Sequence, residues 1–193
     1  FSGSGALTGT STLTKSGNGT LTLSNTANTV GLVVREGTLR GGGTISYSNG
    51  GFGTGAIELQ GGTLNSAMLS SNTLSFANAL IVAIGQTGTF NTPGRISWSG
   101  SVTGGGTLNV GVTTTVSRFD FNNNLTSFTG NLNFTGSGGV RLYNNGGTFN
   151  TNSFANLALD LSGSVGLQPQ TNSVGSTYPI GALSGTSTTA SLG

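Results

Sequence analysis

The chain predicts an all-β fold, a right-handed parallel β-helix (β-solenoid) of roughly seven to nine coils. Three observations carry that expectation. A Gly-Thr-apolar phrase recurs along the 193 residues. Short stretches between its copies alternate apolar and polar residues with period 2, as half-buried strands do. Helix formers are scarce, because Lys, Glu, Arg and Gln hardly occur.

The phrase appears at Gly19-Thr20-Leu21, Gly37-Thr38-Leu39, Gly43-Thr44-Ile45, Gly62-Thr63-Leu64, Gly88-Thr89-Phe90, Gly106-Thr107-Leu108 and Gly147-Thr148-Phe149. Most gaps are about 18 to 26 residues, a spacing that marks stacked repeats. Among the strand patterns, Ala56–Gln60 places Ile57 and Leu59 on one face. Arg95–Ser99 does the same with Ile96 and Trp98, and Gly139–Tyr143 with Val140 and Leu142. Asn156–Leu161 lines up Leu157, Leu159 and Leu161. Clusters of Gly and Asn punctuate these runs, at 41–43, 49–51, 104–106, 122–124, 136–139 and 144–147. Such residues tolerate turn conformations with positive φ. Asn145-Gly146 can equally be read as a tight hairpin.

A single coil cannot stand alone. Its few apolar side chains do not offset the conformational entropy of ordering its backbone. Stacking covers both faces of each coil and pairs its N–H and C=O groups, so coils come in series. Residues 1–161 are read as the β-solenoid. Residues 162–193, where Gln168-Pro169-Gln170 interrupts the pattern, are read as an irregular last coil or edge segment of the same domain.

Composition removes several classes of function. There is no Cys and no His, so disulfides and every thiolate or imidazole site are excluded. The ten charged residues are 5% of the chain, and the net charge is +2. That is too thin for phosphate-driven nucleic-acid binding. The longest apolar run, 77–84, is too short to span a bilayer, so membrane insertion by this segment is not expected.

The stretch from Leu13 to Leu39 carries a family signal. Leu13-Thr14-Lys15-Ser16-Gly17-Asn18-Gly19-Thr20-Leu21-Thr22-Leu23-Ser24, with the Asn-Thr corner at 24–29, resembles the autotransporter-associated β-strand repeat of bacterial surface proteins. The stretch from Phe52 to Leu64, ending in Gly61-Gly62-Thr63-Leu64, looks like that repeat's follow-on, and Ser127–Leu132 like a degenerate corner. Val30-Gly31 stands where the family usually has Tyr-Thr-Gly-Gly. The resemblance implies an extracellular or cell-surface β-helix; it implies no activity.

The acids Glu36, Glu58, Asp120 and Asp160 are scattered, whereas polysaccharide-cleaving enzymes need clustered carboxylates. Asp120 and Asp160 could align on one face two coils apart, but solvated or capping roles are the simpler reading. Glu36 beside Arg35, with Arg40 near, reads as a surface pair. Trp98 and Tyr143 could form an aromatic sugar platform, with core packing the simpler reading for Trp98. Phe119, Phe121, Phe128, Phe134, Phe149 and Phe154 read as stacked core ladders. Thr20 with Thr22, and Thr113 with Thr115, have the spacing of outward rows such as an ice-binding face uses. Asn18, Asn124 and Asn133 begin N-glycosylation sequons. No catalytic, metal or cofactor residue is assigned.

The expected function is therefore a non-enzymatic, extracellular structural or adhesive element of the bacterial surface. A glycan- or ice-binding module is the alternative. Neither end offers a charged or helical cap, so self-association, end to end or lateral and extending to a fibre, is the expected partnership, with surface glycans as further partners. The chain is expected to be a mature product or part of a longer protein.

Overall fold

The structure is a computed structural model that describes residues 5–42, 49–66, 73–122, 125, 127–143, 158–161, 166–170, 180–185 and 191–192. These residues form a β-solenoid with three parallel sheets. Sheet A has five strands: Thr12–Lys15, Gly31–Val34, Ile57–Leu59, Leu80–Val82 and Val102–Gly104. Sheet B has eight: Thr20–Leu23, Thr38–Gly41, Thr63–Ser66, Thr87–Thr92, Thr107–Val112, Asn131–Gly136, Ala158–Asp160 and Ala182–Ser184. Sheet C has six: Thr73–Phe76, Arg95–Trp98, Arg118–Phe121, Gly139–Tyr143, Gly166–Gln170 and Ser191–Leu192. The shortest ladder has five strands, so the chain makes at least about five turns. Every strand pairing among the described residues is parallel. The described residues contain no α-helix, only a three-residue 3-10 turn at Asn49–Gly51.

Period 2 decides what goes inside. Leu13, Leu32, Ile57, Leu80 and Val102 are register partners across sheet A. Leu21, Leu39, Leu64, Phe90, Val110 and Phe134 form the matching row of sheet B. Leu74, Ile96, Phe119 and Val140 form that of sheet C. Apart from the half-buried Leu13 and Leu21, these side chains belong to one buried core. Like residues stacked one strand spacing apart, about 4.8 Å, keep neighbouring coils in step.

Aromatic rings occupy the middle of that core. Trp98 lies nearly parallel to Phe76, with centroids 5.1 Å apart and planes at 8°. It is also nearly parallel to Phe119, at 6.4 Å and 11°. Phe90, entering from sheet B, meets Phe76, Trp98 and Phe119 edge-on at 81–83°. Both geometries suit the ring quadrupole. Phe121, Phe128 and Phe134 are also buried, as the ladder reading expects. Phe149 and Phe154 lie outside the described residues, as do Leu157 and the Asn145-Gly146 hairpin candidate.

A corner contact explains one glycine of the recurring phrase, Gly37, while Gly88 lies within a strand, where a Cβ would strike the Leu59 side chain. Gly37 has φ +63°, and a Cβ there would sit 2.5 Å from the Gly19 carbonyl oxygen and closer still to that of Gly17. This corner rests directly on the backbone of the coil before it, which leaves no room for a side chain; Gly106 is likewise closed in by the Ala83 and Gln86 carbonyl oxygens, whereas a Cβ at Gly19 would meet nothing within 4 Å.

The phrase is not, however, at one equivalent position throughout. Thr20, Thr38, Thr63 and Thr89 share a row, but the next rung of that row is Asn109. Thr107 pairs instead with Thr87. The strands Thr87–Thr92 and Thr107–Val112 are six residues long, and the later phrase falls two residues earlier in its strand. A shift of two keeps every side chain on its own face, so the core absorbs it. The copies at 43–45 and 147–149 lie outside the described residues. Past residue 161, Gly166–Gln170, Ala182–Ser184 and Ser191–Leu192 continue the ladders of sheets B and C.

Candidate functional site

The polar groups serve three settings: the corners, the face of sheet B and the face of sheet C. At the corner between sheets A and B lies Lys15, which is 7% exposed. Its strand parity with Leu13 turns it inward, in register with Val34. Its ammonium donates to the carbonyl oxygens of Ser16 (3.0 Å), Gly17 (2.5 Å) and Glu36 (3.0 Å). The Glu36 carboxylate in turn accepts from Gly17 N at 2.8 Å.

The expected Arg35–Glu36 surface pair is therefore corrected. The two side chains diverge at this corner. Arg35 Nε donates to Gln60 Oε1 at 3.0 Å, and Gln60 Nε2 to Glu58 Oε1 at 2.7 Å. Arg40 stands apart, exposed on the outer face of sheet B.

At the corners that lead into sheet A, buried asparagines tie coils together. Asn28 Oδ1 accepts from Leu7 N at 2.8 Å, and Asn28 Nδ2 donates to Gly51 O at 3.4 Å. Asn78, 1% exposed, donates to Gly53 O at 2.9 Å and Gly55 O at 2.7 Å. Side-chain amides here satisfy carbonyls that the turning backbone cannot pair itself.

Sheet B presents the row Thr20, Thr38, Thr63, Thr89, Asn109, Asn133, Asp160 and Ser184 outward. Thr22 lies beside Thr20 on the same face, as its spacing predicts, but its row continues with Arg40, Asn65, Asn91 and Gly111. Asn133 Nδ2 donates to Asn109 Oδ1 at 3.0 Å, which engages that sequon's amide. Asn18 is exposed at its corner, and Asn124 lies outside the described residues. The Thr113/Thr115 row is overturned. The strand ends at Val112, and both threonines fall in the corner that follows. There the Thr113 hydroxyl donates to Thr92 O at 3.3 Å.

Sheet C presents Arg95, Ser97, Arg118, Asp120 and Arg141 outward, the parity opposite to buried Ile96, Phe119 and Val140. Asp120 is in register with Ser97 on one side and Arg141 on the other. Arg118 holds Asp120 by a two-pronged fork, Nε to Oδ1 at 2.6 Å and Nη2 to Oδ2 at 2.8 Å. The side chains of this pair are 20% and 11% exposed. Arg95 Nε is buried and has no hydrogen-bond partner. Asn122 donates to Ser97 Oγ beside it.

Asp120 and Asp160 do not align, because one belongs to sheet C and the other to sheet B. No cluster of three or more Asp, Glu, His or Cys that could hold a metal occurs among the described residues. Trp98 is fully buried, so the sugar-platform reading of its ring is overturned. The side chain of Tyr143 lies outside the described structure.

Sequence reasoning missed the role of Lys15, although its spacing from Leu13 signals an inward side chain. It also missed that Arg95, Arg118 and Arg141, far apart in the chain, share the outer face of sheet C. No protein-family model, no curated protein and no solved structure matches the chain.

Proposed function

We propose that this chain is a non-enzymatic structural or adhesive β-solenoid acting outside the cell, at a bacterial surface. It is right-handed, has seven to nine coils, and is akin to the autotransporter-associated repeat. The eight parallel strands of sheet B support that coil number. The observation that carries the functional reading is how the polar side chains are used. Lys15, Asn28 and Asn78 bind the backbone of neighbouring segments. Cohesion between coils is the common product. Residues 1–161 form the solenoid body, and 162–193 its last coil or edge. Copies associate end to end or laterally, since stacked sheets offer edge strands for pairing.

Two measurements on the same material test this. Antibody labelling of intact producing cells should stain the surface. Sedimentation of purified protein should show assemblies that grow with concentration. Signal only after the cells are broken, or a monomer at every concentration, would count against the respective half of the proposal. The glycan- or ice-binding alternative draws on the outward row Thr20, Thr38, Thr63 and Thr89; inhibition of ice recrystallisation would favour its ice form.

A further inference from the structure

We propose that the corner Gly17-Asn18-Gly19 is a self-modifying site. Gly19 N attacks the Asn18 side-chain amide, ammonia leaves, and the corner is left with an aspartyl or isoaspartyl linkage that loosens the Lys15–Glu36 clamp. This goes beyond the structural role above and holds wherever the protein acts.

The chain has three Asn-Gly pairs, at 18–19, 49–50 and 145–146. The second residue of each lacks a Cβ, so its nitrogen can close on the amide carbon before it. The pair at 145–146 lies outside the described residues. The other two have opposite surroundings. Asn18 and Gly19 are exposed at the corner between sheets A and B, and a Cβ at Gly19 would meet nothing within 4 Å. No hydrogen bond among the described residues holds the Asn18 amide or Gly19 N. Asn49, by contrast, is buried. Its Oδ1 accepts from Ala77 N at 3.0 Å, and Gly50 lies against the Phe76 ring. The Asn49 amide is thereby anchored to the next coil and is not free to turn onto Gly50 N.

The chemistry needs only water. Gly19 N gives up its proton to solvent base and bonds to Asn18 Cγ. The Cγ–Nδ2 bond breaks, and the nitrogen leaves as ammonia after taking a proton from solvent. Water then opens the cyclic imide. Opening at Cγ restores the ordinary chain, with a carboxylate in place of the amide. Opening at the main-chain carbonyl carbon routes the chain through Cβ and Cγ, which lengthens the backbone. No oxidant or reductant takes part.

The position gives the reaction a consequence. Gly17 O accepts from the Lys15 ammonium, and Gly17 N donates to the Glu36 carboxylate. A Cβ on Gly37 would lie 2.8 Å from the Asn18 carbonyl carbon, so the next corner is seated on this peptide. Either product places a new negative charge one residue from the N–H that Glu36 holds, and like charges repel. The isoaspartyl form also lengthens the segment on which Gly37 rests.

The test is incubation of the full-length folded protein in mildly alkaline buffer, followed by unfolding, tryptic digestion and mass spectrometry. Cleavage after Lys15, Arg35, Arg40, Arg95 and Arg141 puts the three Asn-Gly pairs on separate peptides, 16–35, 41–95 and 142–193. The amide-to-acid mass gain should accumulate on 16–35 and not on 41–95. In urea-unfolded protein both peptides should gain it. Gly19→Ala, which has room for its methyl group, should slow conversion of the folded protein about tenfold or more. The aged protein should melt below the fresh protein, and Asn18→Asp, which adds the charge without the longer backbone, should melt between them. No gain on 16–35, equal gain on 41–95 in the folded state, or an unchanged rate in Gly19→Ala would each overturn the site. An aged protein as stable as the fresh one would overturn its coupling to the clamp.

Discussion

Lys15 and Glu36 clamp two successive coils reciprocally. The Lys15 ammonium donates to the Glu36 carbonyl oxygen at 3.0 Å, and the Glu36 carboxylate accepts from Gly17 N, two residues beyond Lys15, at 2.8 Å. The lysine stem occupies a core position while its head replaces water at three carbonyls. Such a buried cation is tolerated because its donors are met.

Lys15→Met keeps the apolar stem and removes the donors. It should cost about 1.5–3 kcal/mol, the range for hydrogen bonds to a charged group. Glu36→Ala breaks only the exposed half of the clamp and should cost about 1 kcal/mol or less. Urea unfolding midpoints of the two variants check the order.

Gly37→Ala forces a Cβ into the carbonyls of Gly17 and Gly19 at a positive φ. A loss of about 2 kcal/mol or more is expected. Gly5→Ala, where a Cβ would meet nothing within 4 Å, should change stability by less than about 0.5 kcal/mol. Thermal unfolding of the pair separates a corner contact from a general effect of losing glycine.

Asn78→Ala removes the amide that holds Gly53 O and Gly55 O and leaves buried carbonyls unpaired. About 2–4 kcal/mol should be lost. Hydrogen exchange should show faster opening at neighbouring amides, with Thr54 and Ile57 as reporters.

Trp98 is the sole tryptophan and is fully buried between Phe76 and Phe119. Its emission should be blue-shifted in the native protein and move to the red in one step on unfolding. Trp98→Leu opens a cavity among Phe76, Phe90 and Phe119 and should cost about 3–5 kcal/mol. Calorimetry of the variant measures it.

The strand faces were legible because period 2 is a local property. Ile57 with Leu59, Ile96 with Trp98, and Val140 with Leu142 are buried as their alternation requires. The Gly-Thr-apolar phrase announced stacked coils for the same reason. Which sheet a segment joins was not legible. Asp120 and Asp160 have similar strand contexts yet belong to different sheets, and Thr113 and Thr115 look like strand residues yet form a corner. Corner length makes those choices, and it depends on how each turn seats on the coil beneath.

By itself, the sequence determined that this protein is built of short parallel strands with an apolar interior and almost no charge. Alternation and glycine spacing act within a few residues, so they can be read in one dimension. The tertiary structure alone decided that Lys15 reaches the Glu36 carbonyl of the next coil, that Thr107 sits two residues out of step with Thr89, and that Arg95, Arg118 and Arg141 share one face. Each of those facts depends on register between coils, and register is fixed by packing across distances that no local pattern spans.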